Sequence, residues 1–510
     1  MKTKEKRRKY NTICPVYRLV SKNKNKETHT IFLQNKLVDL KVEYFTTTNL
    51  ETLVDTCGES LKHITIEGLD VHEANVRPDT LLISCPNLIQ LSFQGWVYMD
   101  DNWKPDLGTG ICHSLTNLKL DFSNPDIFID FNPIAFLRAA PKLQSLTLNV
   151  DHLRMVCSDI SDWIQEYCPD LTTLVLRQEF ENDEQLPRMS SKVNTMSSLP
   201  SLMPTMATTE EPGHQKRKGL QHIYLHEYNY LELIDRTVQS IVSPLFDVDR
   251  SQLVSLDLGG SGMVCETTLI QLASSPMPSL KALQLIEYNG GVNNVTSSIL
   301  RNLFQSSTMP NLTHLTFYFL QEVDGSVLEA IASNLNCLEE LVLYHCEYVR
   351  GEALLRFLRQ MGEKTRKHHL RSLTIKESQW TTITDGVMGI LASETKGFIE
   401  HLEQLNMSAF LSIADGYADV ERFLDAKRKR IINNNEKKME RLDIFFASNQ
   451  LQGLVGIENS RHPQVKQLLE KMDQVAAEWE YSVGTPDFDA NVPGVNDIYD
   501  QVTNISYEHN

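Results

Sequence analysis

The chain repeats one phrase of apolar and polar positions, clearest in "LNCLEELVLYHCEYVRGEALLRFL" at Leu335–Leu358. Leu338, Leu341 and Leu343 follow L-x-x-L-x-L, and the last two share one face of a short strand. Ala353, Leu354, Phe357 and Leu358 then fall on one stripe at helical spacing. A strand and a helix in about thirty residues, each with a single apolar face, need neighbours of their own kind. The chain supplies them.

Thirteen matches occur in order, starting at Leu37, Leu61, Leu88, Leu115, Leu143, Leu171, Leu220, Leu253, Leu280, Leu312, Leu338, Leu370 and Leu402. Most steps are 24 to 33 residues, and the step from Leu171 to Leu220 is 49. Met439, Leu442 and Ile444 form a weaker fourteenth match. Several are introduced by "CPNL", "CPDL", "MPSL" or "MPNL". Helical patterns lie between strands at 48–57, 132–139, 159–167, 230–245, 265–273, 295–306, 325–335, 352–361 and 385–393, with a charged helix at 418–440.

The regions outside this pattern set the expected organisation. Residues 1–36 are a basic head and a poorly patterned segment, read as a solvated chain end rather than an import or partner tag. The repeats fill 37–450 as one solenoid. Within it, 180–218 is rich in Pro, Ser, Thr and Met and is expected to be an inserted flexible loop. An amphipathic stretch in 451–481 is expected to cap the open end of the core. Residues 482–510 lack Lys and Arg and read as a disordered acidic tail.

The units resemble the irregular, cysteine-containing class of leucine-rich repeats found in F-box and RNI-like proteins, and "CLEELVLYHCEYVRGEALLRFL" carries the resemblance most fully. That class implies an α/β fold: a curved right-handed βα superhelix with a parallel sheet on the concave face and helices outside. Periodicity leads to the same architecture. F-box members are substrate receptors of SCF-type ubiquitin ligases and carry a helical adaptor-binding segment that opens with an L-P-x-E-like phrase. No such phrase occurs in residues 1–36, where only "YRLVSKNKNK" is similar to the closing helix of an F-box.

Charge and cysteines narrow the chemistry. A formal net charge of −17 disfavours a phosphate-backbone partner, which needs a basic face. No run of eighteen apolar residues and no signal peptide is present, so an intracellular setting, cytoplasmic or nuclear, with reduced thiols is expected. The nine cysteines form no C-x-x-C pair. Cys85, Cys168 and Cys337 are read as sharing one position in their repeats, where a small apolar side chain is expected to stack in the core. "GGSG" at Gly259–Gly262 reads as a turn, and "KHH" at 367–369 as loop residues. The "AKRKR" cluster, Lys427 to Arg430, reads as charged outer surface. No catalytic constellation, metal set or cofactor motif emerges, so the expectation is a non-enzymatic protein without cofactors.

Binding then falls to the outward places of each strand, those before, between and after the last two leucines. On the first strands these are small and polar; from Leu220 onward they gain His222, Tyr224, His226, Ile286, His314, Tyr318 and Tyr344. Exposed aromatics supply protein-binding hot spots, so these seven are the candidate partner-binding residues. The expected partner is a protein, with a cullin-ligase adaptor joining if an F-box is present. Alternatives are a scaffold without a ligase role and a GTPase regulator acting through an exposed Arg or Asn on a loop at the strand ends, for which Arg177 is the candidate.

Overall fold

The computed structural model describes residues 17–20, 39–43, 54–70, 77–96, 107–121, 133–149, 160–178, 219–227, 251–260, 263–274, 276–287, 295–305, 308–346, 348–349, 351–363, 369–376, 382–383, 386–393, 397–412, 419, 421–427, 429 and 441–447. The expected loop at 180–218, capping segment at 451–481 and acidic tail at 482–510 lie outside them.

The strands are β1 (Tyr17–Val20), β2 (Asp39–Glu43), β3 (His63–Asp70), β4 (Gln90–Trp96), β5 (Asn117–Asp121) and β6 (Ser145–Asn149). Next come β7 (Thr173–Gln178), β8 (His222–Glu227), β9 (Ser255–Gly259), β10 (Ala282–Ile286) and β11 (His314–Tyr318). The series ends with β12 (Glu340–Tyr344), β13 (Ser372–Lys376), β14 (Thr382–Ile383), β15 (Gln404–Ser412) and β16 (Arg441–Ala447). All join one parallel sheet in chain order, except that β13 and the short β14 pair with successive parts of β15. This is a leucine-rich-repeat solenoid of the α/β class. Each of the thirteen sequence matches is a strand, and the weaker fourteenth is β16.

Register follows the leucines. Leu315 lies opposite Leu341 and Phe317 opposite Leu343, all buried, and the same pairing runs from β2 to β15. The return helices bury their apolar stripes against these rows; Gly351–Met361 buries Leu354, Phe357, Leu358 and Met361. Strands sit about 4.8 Å apart, whereas packed helices need about 8–10 Å. A helical layer with that wider spacing bends the sheet inward and makes its open face concave.

Two main-chain devices hold the repeats in step. The carbonyl of the residue after the first leucine accepts two N–H groups from the next unit: Thr116 O from Gln144 and Ser145, and Thr172 O from Gln221 and His222. Three residues before that leucine, a tight turn closes, with Leu88 N–H donating to Cys85 O, Leu171 to Cys168 and Leu280 to Met277. The "CPNL" and "MPNL" phrases have a further cause. Asn87 and Asn311 donate from Nδ2 to the carbonyls of Glu59 and Pro278 in the preceding unit, and Ser279 of "MPSL" donates to Ser251 O.

Three expectations are corrected. The sheet begins at β1, inside the segment expected to precede the array, and "YRLV" is a strand rather than part of a helix. Cys85 and Cys168 do fill the buried turn position, but Cys337 does not: Leu335 occupies it, two residues earlier, and Cys337 is half-buried. Lys427 is not surface; it is 2% exposed, and its Nζ donates to Ile399 O at 2.8 Å. The helix Pro78–Ser84, whose first turn suits proline, was not apparent from periodicity.

Candidate functional site

Parallel register carries each outward place across the sheet as a row. From β8 to β12 the first row is His222, Ser255, Ala282, His314 and Glu340. The middle row is Tyr224, Asp257, Gln284, Thr316 and Val342, and the last is His226, Gly259, Ile286, Tyr318 and Tyr344.

The structure brings Tyr318 and Tyr344 together, opposite each other with ring centroids 5.1 Å apart and planes tilted by 36°. His222 and Tyr224 form a second group: His222 Nδ1 lies 2.8 Å and the Tyr224 hydroxyl 3.2 Å from Ser255 Oγ. Burial lowers the pKa of His222. His314 Nε2 stands 3.8 Å from Glu340 Oε2, across the pair they form in register.

His226 and Ile286 correct the expectation of an exposed row, being 4% and 2% exposed. Alternation holds at most of the first two outward places, with Val175, Asp257, Ser372 and Asn406 buried, and fails at the last strand residue, where β5, β6 and β10 are also closed to solvent. His226 faces Gly259, which has no side chain, so its imidazole leans diagonally to Asp257. Nε2 and Oδ1 lie 2.8 Å apart without hydrogen-bond alignment, and Gln284 Nε2 donates to the other carboxylate oxygen at 3.1 Å. These two residues therefore support the face rather than present it. Arg177 also departs from expectation, since it lies half-buried within β7, not on a loop at a strand end.

Sequence reasoning missed the residues just beyond the last row. Phe319 and His345 adopt φ of 56° and 52°, a left-handed conformation that large side chains rarely take. Gly260 fills the equivalent place after β9 with φ 98°, where the conformation carries no side-chain penalty. Main-chain bonds hold the turn: Gly260 N–H donates to Ile286 O and Phe319 N–H to Tyr344 O. Strain of about 1–3 kcal/mol per residue persists only where surroundings over-determine it. Here rings do so. Phe319 and His345 stack at 4.8 Å, Tyr344 meets Phe319 edge-on at 5.6 Å, and Tyr344 meets His345 at 4.6 Å. The available signal was an aromatic or histidine where another repeat carries glycine.

The electrostatics of this corner are acidic and apolar together. Burial raises the phenol of Tyr318, with Tyr344, Asp257 and Glu340 adding to it, and burial also raises Tyr344, so both are neutral near pH 7. Burial raises Glu340 as well, partly offset by His314. Among the described residues, no cluster of His, Cys, Asp and Glu is placed to hold a metal ion. No helix among them is long and apolar enough to cross a membrane.

No family model matches the chain, and no curated protein matches it. Among solved structures, the yeast Rad7–Elc1 complex aligns at 16% identity over 84% of this chain and 81% of that chain, with a TM-score of 0.39. The leucine-rich repeat-containing protein LegL7 from Legionella pneumophila aligns at 13% identity over 69% of this chain and 96% of that chain, with a TM-score of 0.31. At these identities and TM-scores neither likeness carries functional information, and the fold rests on the sheet itself.

Proposed function

We infer that the chain is a non-enzymatic recognition module that binds a partner protein on the concave face of its sheet. The observation that carries this reading is the packed corner of Tyr318, Phe319, Tyr344 and His345, half-buried and held in a strained backbone. Aromatic anchors whose rotamers are already fixed lose little entropy on binding, which suits them to protein hot spots. A finer role as substrate receptor of an SCF-type ubiquitin ligase is supported by the resemblance of the repeat units alone. Affinity capture with the full chain, read by mass spectrometry, tests both levels. Loss of the captured partner on Tyr318→Ala with Tyr344→Ala, melting unchanged, supports the face. Absence of a cullin and its adaptor among the captured proteins removes the ligase role.

A further inference from the structure

The geometry points to a proton-sensitive joint in the array between β13 and β15, formed by the stacked side chains of His369 and His401. It goes beyond the recognition reading above and does not depend on it.

The repeat sets the position. His369 directly precedes Leu370 and His401 directly precedes Leu402, so the two take one place on successive units. β13 and β15 are paired neighbours, with Leu373 opposite Leu405. The imidazoles stack face to face, their centroids 4.0 Å apart and their planes 8° from parallel. Gly397 packs against both rings: a Cβ there would stand 3.3 Å from His369 Nδ1 and 3.3 Å from His401 Cδ2. The Gly397 N–H donates to Gly362 O, which ties this turn to the end of the helix Gly351–Met361. Neither ring has room to retreat toward the main chain of Gly397.

Charge decides what the stack tolerates. Two neutral rings, or one neutral and one protonated, can stack at this distance, whereas two cations repel across it. The surrounding groups favour a single proton. Glu400 Oε2 lies 3.6 Å from His401 Nε2 and offers that ring a counter-charge. Arg371 is taken up by Glu403 at 2.6 Å and Glu339 at 3.6 Å. Lys427 brings a buried cation to the helix Phe398–His401, where its Nζ donates to Ile399 O. The helix Gly351–Met361 carries Arg359 in its last turn and is followed by the exposed Glu363. Cys337 holds the matching place one unit earlier. One proton is accommodated on His401, and a second, on His369, is resisted.

In the unfolded chain both histidines take up protons at about pH 6.5. A proton that the unfolded chain binds and the folded one refuses lowers stability as pH falls through that value. The joint is therefore at full strength above it. Glutamates protonate at about 4.3, so the Arg371 bridges outlast the histidine window. Repeat arrays are held by nearest-neighbour interfaces, so a weakened joint loosens β15 and β16 beyond it and leaves the earlier strands in place.

Hydrogen exchange of the full chain, read by mass spectrometry at about pH 7.5 and about pH 5.5, tests the joint once the intrinsic pH dependence of exchange is removed. Displacing the second proton by one pH unit changes local opening about tenfold. Residues 397–412, whose Glu403 and Gln404 amides donate to Arg371 O, should exchange about tenfold faster at the lower pH, while residues 312–344 should not change. His369→Gln and His401→Gln keep a polar side chain but leave only one ring to charge, so each should abolish the acid loosening. Glu400→Gln removes the counter-charge and should enlarge it. NMR of the histidine-labelled parent gives a second reading that needs no variant to fold. The two rings, recognised by their mutual contact, should titrate in two separated steps. Protection of 397–412 that is unchanged by pH overturns the proposal, as does one shared midpoint for the two rings. Loosening that persists in both glutamine variants overturns it too, since another group would then carry the effect. Loosening spread evenly over the array does the same, because acid would then act on the whole fold.

Discussion

Lys427 reaches from its own helical segment to the main-chain oxygen of Ile399, 28 residues earlier, and donates to it at 2.8 Å. A buried cation is tolerated only with hydrogen-bond partners, and the link couples two return segments of the array. Lys427→Ala should cost about 1.5–3 kcal/mol, because a carbonyl loses a charged donor and a cavity opens. Lys427→Met keeps most of the volume and should cost less. Denaturant midpoints of the two variants check the order.

Leu341 is fully buried between Leu315 and Leu373 in register. Leu341→Asp removes about 1.5–3 kcal/mol of apolar burial and adds the desolvation of a carboxylate. Neighbouring units share the same core, so the variant should be insoluble or partly unfolded. A soluble variant that melts with the parent would refute this register.

Asp324 caps the helix Gly325–Asn334 by accepting from the N–H groups of Ser326 and Val327 at 2.8 and 3.2 Å. Burial pushes its pKa up, but hydrogen bonds from Ser326, Val327 and Ser297 outweigh burial and hold it below the ordinary carboxylate value. A depressed folded pKa gives stability that is present above the unfolded value and is lost as pH falls through the folded one. Asp324→Ala should therefore cost about 1 kcal/mol at neutral pH. That gap from the parent should close at a pH well below about 4. Urea titrations at both pH values measure it.

The turn cysteines should be chemically silent. Burial pushes Cys85 and Cys168 up to about 12 and Cys112 to about 11, with Cys112 adding to the shift of Cys85. Two or three units above a thiol's ordinary value means roughly a hundredfold to a thousandfold less thiolate at pH 8. In native protein, alkylation mapped by mass spectrometry should reach half-buried Cys337 well before these three, and urea should abolish the difference.

The thirteen main strands were legible because each places leucines at fixed offsets and must bury them. β1 and β14 were not, since neither contains the phrase and each gains its strand character by pairing with a neighbour, β2 or β15. The closeness of Tyr318 and Tyr344 followed from parallel register, which sets like positions side by side. The burial of His226 belongs to its row, where Asp121, Asn149 and Ile286 are closed to solvent too, and the prominence of Phe319 and His345 depended on a backbone angle. Hydrophobic periodicity describes neither. Lys427 was misplaced because a charge cluster in sequence does not show which of its members turns inward.

The paired N–H donors to one carbonyl per unit mean that the frame measures nothing between its fixed points. Thr172 O receives Gln221 and His222 across the longest interval as it would across the shortest. Return segments can therefore lengthen, shorten or be exchanged by mutation while the sheet keeps its place. New surface can accumulate at the rim, one interval at a time, without renegotiating the frame beneath it.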